Sequence, residues 1–263
     1  MKTPEQIREL YIKKVEEFSY KQDKERSVDS EGKPKDRTND IYVTDICGWD
    51  TYCPKQVYFN KVCKKPALPE ALIRFTIGHV VHEIPLWDNE DPKLDGHEQA
   101  FNWKGIRCRM DEINFEDGII IDKKTAASLG NKPKDYVTKQ LNIYRVIAED
   151  NEERPTKINQ LFVINLAVLN GKIQVLEVPM WDKEDTIAYI DRIKNEIETH
   201  VKSKTAPYVP CGSKGWICEG CQYKEECSNE AGQTINVEDP APSRRKAAEV
   251  VATTMKRTSQ KTL

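Results

Sequence analysis

Met110-Asp111-Glu112-Ile113-Asn114-Phe115-Glu116-Asp117-Gly118-Ile119-Ile120-Ile121-Asp122-Lys123-Lys124 is the stretch on which the fold turns. Its apolar runs, Ile106 to Phe115 and Ile119 to Lys124, flank Glu116-Asp117-Gly118. Asp-Gly between such runs predicts a β-hairpin, because both loop residues tolerate positive φ. With Asp117-Gly118 as a two-residue loop, Glu116 pairs with Ile119, Ile113 stands opposite Asp122, and Asp111 stands opposite Lys124. Alternation then puts Asp111, Asp122 and Lys124 on one face. Directly opposed Cβ atoms lie about 5 Å apart and diagonal ones roughly 7 to 8 Å, close enough for two carboxylates to share a divalent cation.

That grouping suits phosphodiester hydrolysis. Hard oxygen ligands hold Mg²⁺ or Mn²⁺, the ion acidifies a water and offsets phosphate charge, and Lys124 orients the nucleophile. The same trio would equally serve as a cross-strand salt bridge on a solvent-facing sheet. Upstream, Pro69 and Glu70 open a helix running to about Leu86, with Leu72, Ile73, Ile77, Val80, Val81 and Ile84 as its expected buried stripe. In Gly78-His79-Val80-Val81-His82 the glycine and His82 lie one turn apart on one face, so close packing at Gly78 would bring His82 to the sheet edge as a third ligand. An imidazole shifts the preference toward Mn²⁺.

Downstream, a helix is expected over about Pro133 to Glu149. A second hairpin, Gln160 to Leu169 and Lys172 to Pro179, should turn at Asn170-Gly171. Lys183 to Lys202 carries Ile187, Ile190, Ile197 and Val201 near helical spacing. The order helix, hairpin, helix, hairpin, helix implies an α/β fold with a mixed central sheet covered by helices. Tyr136, Gln140 and Tyr144 fall at i, i+4 and i+8 on one helical face, offering polar tips that could meet a sugar-phosphate chain or stack on bases. A partly buried tyrosine stripe is the alternative.

The 263 residues, 38% hydrophobic and 32% charged, suffice for one sizeable core, and a mean hydropathy of -0.70 points to a highly solvated chain. No stretch approaches the roughly 20 apolar residues of a membrane helix, and the first residues lack the apolar core of a signal peptide, so a cytoplasmic protein is expected. A net charge of -2 predicts no nucleic-acid partner by itself. Glu5 to Phe18 could form an amphipathic helix, followed by a charged linker over Lys21 to Asp40. The ordered core is placed at 41–230, and 231–263 forms a basic tail with Arg244, Arg245 and Lys246. No G-x-x-x-x-G-K-[ST] segment is present, so this chain is not expected to be the helicase half of a helicase-nuclease, though it could be a separate subunit.

Of eight cysteines, Cys218, Cys221 and Cys227 form a C-x2-C-x5-C run one ligand short of a closed metal site, and Cys53 of Tyr52-Cys53-Pro54 is the preferred fourth. Structural zinc sites usually draw ligands as two local pairs, whereas three clustered thiolates plus a distant one suit a four-iron cluster, whose ligands each bind a different iron. The spacing leans toward iron-sulfur, with an all-cysteine zinc site as the alternative. Cys47, Cys63 and Cys211 are rival ligands, and Cys108, on the strand face opposite Asp111, is expected in the core.

In order, Gly78-x3-His82, Met110-Asp111-Glu112-Ile113, Ile120-Ile121-Asp122-Lys123-Lys124-Thr125 and Gln140-x3-Tyr144 resemble the motifs of RecB-like nucleases of the PD-(D/E)XK superfamily. Tyr52-Cys53-Pro54 with Trp216-x-Cys218-x2-Cys221-x-Tyr223-x3-Cys227 looks like the iron-sulfur clasp of the Cas-four family, the CRISPR-associated members. The resemblance implies metal binding by His82, Asp111 and Asp122, catalysis with Lys124, and DNA contact or site support from Gln140 and Tyr144. It further implies a 4Fe-4S cluster on Cys53, Cys218, Cys221 and Cys227, and exonuclease action on single-stranded DNA or overhangs. In company with CRISPR integrase proteins, that action would process DNA before its integration. Two departures stand out: Cys108-Arg109-Met110 lacks the glycine usual before the first acid, and Asp122 replaces the more usual glutamate. Related standalone nucleases occur in viruses and mobile elements. A noncatalytic DNA-binding subunit and a zinc-stapled interaction domain are the competing readings.

Overall fold

A computed structural model describes residues 40–63, 65, 67–87, 94–210 and 212–231. The expected N-terminal helix, most of the charged linker, and the tail beyond 231 lie outside them.

Lys104 and Gly105 both take left-handed backbone, φ 48° and 77°, so the chain reverses in a two-residue turn. The turn joins β2 (Asp95–Trp103) antiparallel to β3 (Ile106–Asn114), with Trp103 opposite Ile106 and Asp95 opposite Asn114. β2 does not read as a strand in the sequence, because its Asp, His, Glu, Gln and Asn residues mask any alternation and Lys-Gly is not a usual hairpin dipeptide.

The expected hairpin forms between β3 and β4 (Ile119–Ala126), but its register differs from that of a two-residue loop. Asn114 pairs with Ile119, Ile113 with Ile120 and Glu112 with Ile121, so residues 115–118 form a four-residue loop. The Asn114 side chain accepts from the Asp117 N–H at 2.7 Å, and Gly118 is left-handed (φ 68°) while Asp117 is not. A type I′ turn needs both, which accounts for the longer loop. The slip is by two residues, so each side chain keeps its face. The second hairpin, β5 (Gln160–Ala167) with β6 (Lys172–Glu177), departs in the same way: Ala167 pairs with Lys172, and Gly171 has φ 67° while Asn170 does not take positive φ.

β1 (Ile41–Tyr42) pairs parallel with the start of β3, and β4 pairs parallel with β5, giving a six-stranded mixed sheet. Its helices are α1 (Val43–Thr51), α2 (Pro54–Val62), α3 (Pro69–His82), α4 (Asp135–Glu149) and α5 (Lys183–Ser203), followed by the short α6 (Trp216–Glu219) and α7 (Lys224–Ala231). Pro54 opens α2 at its first turn, where its missing N–H costs nothing. The Asp182 side chain caps α5 by accepting from the Asp185 N–H at 3.1 Å. α1, α4 and α5 pack together over the sheet around a core that includes Ile46, Ile106, Met110, Ile120, Leu141, Ile147, Leu161 and Ile190. Cys108 belongs to the same core.

α3 departs from expectation. It ends at His82, and Ile77 (41%), Val80 (59%) and Ile84 (61%) are exposed where a buried stripe was expected, while Leu72, Ile73 and Val81 are only partly covered. Helical spacing establishes an apolar stripe but not what lies against it. Among the described residues, no helix is long and apolar enough to cross a membrane.

Candidate active site and cysteine cavity

The β3–β4 ladder stops at Glu112 and Ile121, and beyond that point β4 leaves β3. The Lys123 N–H would otherwise be orphaned there; it donates instead to Asp111 Oδ2 at 2.7 Å. Asp111 is therefore fixed at the fork of the sheet. Its Oδ1 lies 2.9 Å from Nδ1 of His82, the last residue of α3. Asp122, 1% exposed, follows on β4, and the ammonium of Lys124 donates to its Oδ1 at 2.8 Å.

Adjacent residues turn to different partners. Lys123 sends its ammonium to Glu112 Oε1 and the Ile84 carbonyl, while Glu112 Oε1 also accepts from Leu86 N–H at 3.0 Å and lies 2.8 Å from His97 Nδ1. This buried cluster pins the segment after α3, and so the end of the helix that carries His82.

A residue not anticipated from the motifs joins His82 and Asp111. Glu98 of β2 stands opposite Asp111, at the one interruption of the β2–β3 register, and takes a left-handed backbone (φ 51°) within a strand. Its Oε1 lies 3.6 Å from His82 Nδ1, and its Oε2 accepts from Arg109 at 3.1 Å. Reading Lys104-Gly105 as a two-residue turn and counting back would have placed Glu98 there. Ligand atoms of His82, Glu98 and Asp111 all lie within 4.8 Å of one another.

The charges shape one another. Hydrogen bonds donated to Asp111, and then to Glu98, raise His82 to about 9, against partial burial. Partial burial would lift Glu98, but His82 and Arg109 hold it at about 2. Burial pushes Asp122 up to about 6, helped by Asp111 and opposed by Lys124. Burial would lower Lys124, yet the Asp122 and Asp111 carboxylates outweigh it and raise the ammonium. Asp122 Oδ2 is buried with no hydrogen-bond partner among the described residues, an acceptor that a cation would satisfy.

Gln140 (3% exposed) and Tyr144 (4%) do not form the exposed polar face expected of α4. The helix lies flat on β4 and β5, so their tips meet each other, Gln140 Nε2 donating to Tyr144 Oη at 2.6 Å. Burial drives the Tyr144 phenol well up, and Asp122 is among the charges that act on it. Tyr136 packs its ring against Tyr52, centroids 4.9 Å apart.

Elsewhere, Cys53, Cys218, Cys221 and Cys227 line one small cavity together with Phe59, Ile217 and Tyr223. Cys47 and Cys63 do not line it, and Cys211 lies outside the described residues. Cys47 is a buried thiol that desolvation pushes far up. The cavity is closed by the fully buried Tyr223, which stacks on Phe59, donates to Asn60 Oδ1 at 2.7 Å and accepts from Lys65 N–H at 3.1 Å.

Residues 86–228 match the family model of the PD-(D/E)XK nuclease superfamily, and the chain belongs to that superfamily. Among solved structures it is similar to SSO0001 at 22% identity, over 87% of this chain and 98% of the other, with a TM-score of 0.52, a likeness of fold. A protein described as an exonuclease from Eubacterium rectale aligns at 11% identity over 78% and 91% of the two chains, TM-score 0.46. An alkaline exonuclease, LHK-Exo, from Laribacter hongkongensis aligns at 11% identity over 64% and 92%, TM-score 0.39. No curated protein matches the chain.

Proposed function

We propose that the protein is a divalent-metal-dependent deoxyribonuclease, acting as an exonuclease on single-stranded DNA or overhangs. The observation that carries this reading is the convergence of Asp111, Asp122, Lys124 and His82 at the fork between β3 and β4, with one buried oxygen of Asp122 unpartnered among the described residues. His82, Asp111 and Asp122 would hold the ion. When bound, Mg²⁺ or Mn²⁺ supplies a polarised phosphate and an acidified water. The chain's own groups do the positioning. Lys123 N–H fixes the Asp111 carboxylate, Asp111 orients the His82 ring, and Asp122 holds the Lys124 ammonium where it can donate to the attacking water or a phosphate oxygen. Gln140 and Tyr144 support this face from beneath α4 rather than touching DNA directly.

The four cysteines that share a cavity suit a 4Fe-4S cluster in a structural role, one that clasps α2 to the C-terminal turn. With that clasp the reading extends to the Cas-four type, trimming DNA beside CRISPR integrase proteins.

The test is cleavage of end-labelled single-stranded DNA with Mg²⁺ or Mn²⁺ by wild type, Asp122→Ala and Lys124→Ala. Metal-dependent loss of the labelled end is expected, reduced in each variant at least about a hundredfold. A folded, metal-loaded wild type that leaves the DNA intact overturns the catalytic reading in favour of a DNA-binding subunit.

A further inference from the structure

We propose that Glu98 is itself a metal ligand, so that a divalent cation of the Mn²⁺ class is held by His82, Glu98 and Asp111, drawn from α3, β2 and β3. The inference rests on the nuclease reading and deepens its metal site. Ligands bound about 2.0 to 2.6 Å from one ion stand within about 5 Å of each other, and His82, Glu98 and Asp111 meet that condition at 4.8 Å. Among the described residues they are the one group of three or more side chains of ligating type that does so; Asp122 falls outside it.

Two further observations point to an ion. Asp122 Oδ2 is buried and unpartnered among the described residues, with Asp111 and His82 among the charges that act on Asp122, so a cation beside Asp111 faces an acceptor that it can satisfy. Glu98 also divides its oxygens: Oε2 is taken by Arg109 from the exposed side, leaving Oε1 toward His82 and Asp111. Arg109 orients the carboxylate, as groups behind metal ligands commonly do. One imidazole and two carboxylates form a donor set that favours Mn²⁺ over Mg²⁺ or Ca²⁺. Glu98 thereby adds to the His82, Asp111 and Asp122 set proposed above, with Asp122 Oδ1 engaged by Lys124 and its Oδ2 left for the ion.

Glu98 could instead act only through His82, and a cycle of variants separates the two. Mn²⁺ alone is titrated calorimetrically into chelator-stripped full-length protein: wild type, Glu98→Gln, His82→Gln, the double variant, and Asp111→Asn, with thermal melting of each as a fold check. A ligand role predicts that Glu98→Gln weakens Mn²⁺ binding at least about tenfold and does so again in the His82→Gln background. Glu98→Gly guards against misfolding. Glycine relieves the left-handed backbone, so this variant should melt no lower than wild type and still bind Mn²⁺ weakly. Wild-type affinity in Glu98→Gln, or no further loss in the double variant, overturns the inference while Asp111→Asn still weakens binding. Mn²⁺ binding that is absent from wild type, or untouched by Asp111→Asn, overturns the metal-site reading as a whole.

Discussion

At the scale of single residues, the neighbours Asp111 and Glu112, and likewise Lys123 and Lys124, turn to different partners, one of each pair to the candidate site and the other to a buried anchoring cluster. Glu112 is 0% exposed and collects Lys123, His97 and the Leu86 N–H on one carboxylate oxygen. Truncating it strands a buried ammonium, a loss of about 3 to 5 kcal/mol for a buried pair broken from one side. Glu112→Ala should therefore be strongly destabilised in denaturant unfolding, and Glu112→Gln, which keeps an acceptor, less so. Equal stability of Glu112→Ala and wild type would show that the cluster anchors nothing. Lys124, by contrast, is tied among the described residues to Asp122 alone by hydrogen bond, which leaves donors for a substrate.

At the scale of elements, the sheet depends on how two hairpins close, β3–β4 with the candidate site and β5–β6 beside it. Gly118 and Gly171 end four-residue loops with nearly the same left-handed backbone, but their surroundings differ. A Cβ at Gly118 would meet the Lys157 carbonyl at 2.2 Å, whereas at Gly171 none of the described residues beyond its chain neighbours lies within 4 Å. Gly171→Ala should cost about 1 to 2 kcal/mol from backbone conformation. Gly118→Ala should cost more, because the Gly118 carbonyl also accepts from Asn159 and Gln160 at the start of β5 and that junction must shift. Chemical denaturation of the two variants side by side checks the order; equal losses would mean that the Lys157 carbonyl yields freely.

At the scale of the whole molecule, the cysteine cavity joins α2, early in the chain, to the turn between α6 and α7. Tyr223 already holds that junction through Phe59, Asn60 and Lys65, so the cavity has walls made of side chains as well as thiols. Anaerobically purified protein should contain iron and acid-labile sulfide with a brown colour. Cys53→Ser should lose both, and Tyr223→Ala should lose much of the iron although all four thiols remain. Zinc without sulfide in the wild type would replace the iron-sulfur cluster with an all-cysteine zinc site.

Local chemistry in the sequence determined that hairpins form at Asp117-Gly118 and Asn170-Gly171, that helices lie near Pro133 to Glu149 and Lys183 to Lys202, observed as Asp135–Glu149 and Lys183–Ser203, and that Asp122 and Lys124 share a strand face, because alternation and turn residues act over a few positions. Loop length was not legible: whether Asp117 and Asn170 enter the left-handed region depends on side-chain hydrogen bonds such as that from Asp117 N–H to Asn114. Nor was the environment of each face. The apolar stripe of α3 reads as buried yet is exposed, and the polar face of α4 reads as exposed yet is buried on β4 and β5. Only tertiary structure decided that Glu98 meets His82 and Asp111, since their proximity depends on a strand hidden in a polar stretch and on a helix end pinned by Glu112 and Lys123. Spacing along a chain sets which residues share a face, whereas contact between faces depends on packing among distant segments, which no single window contains.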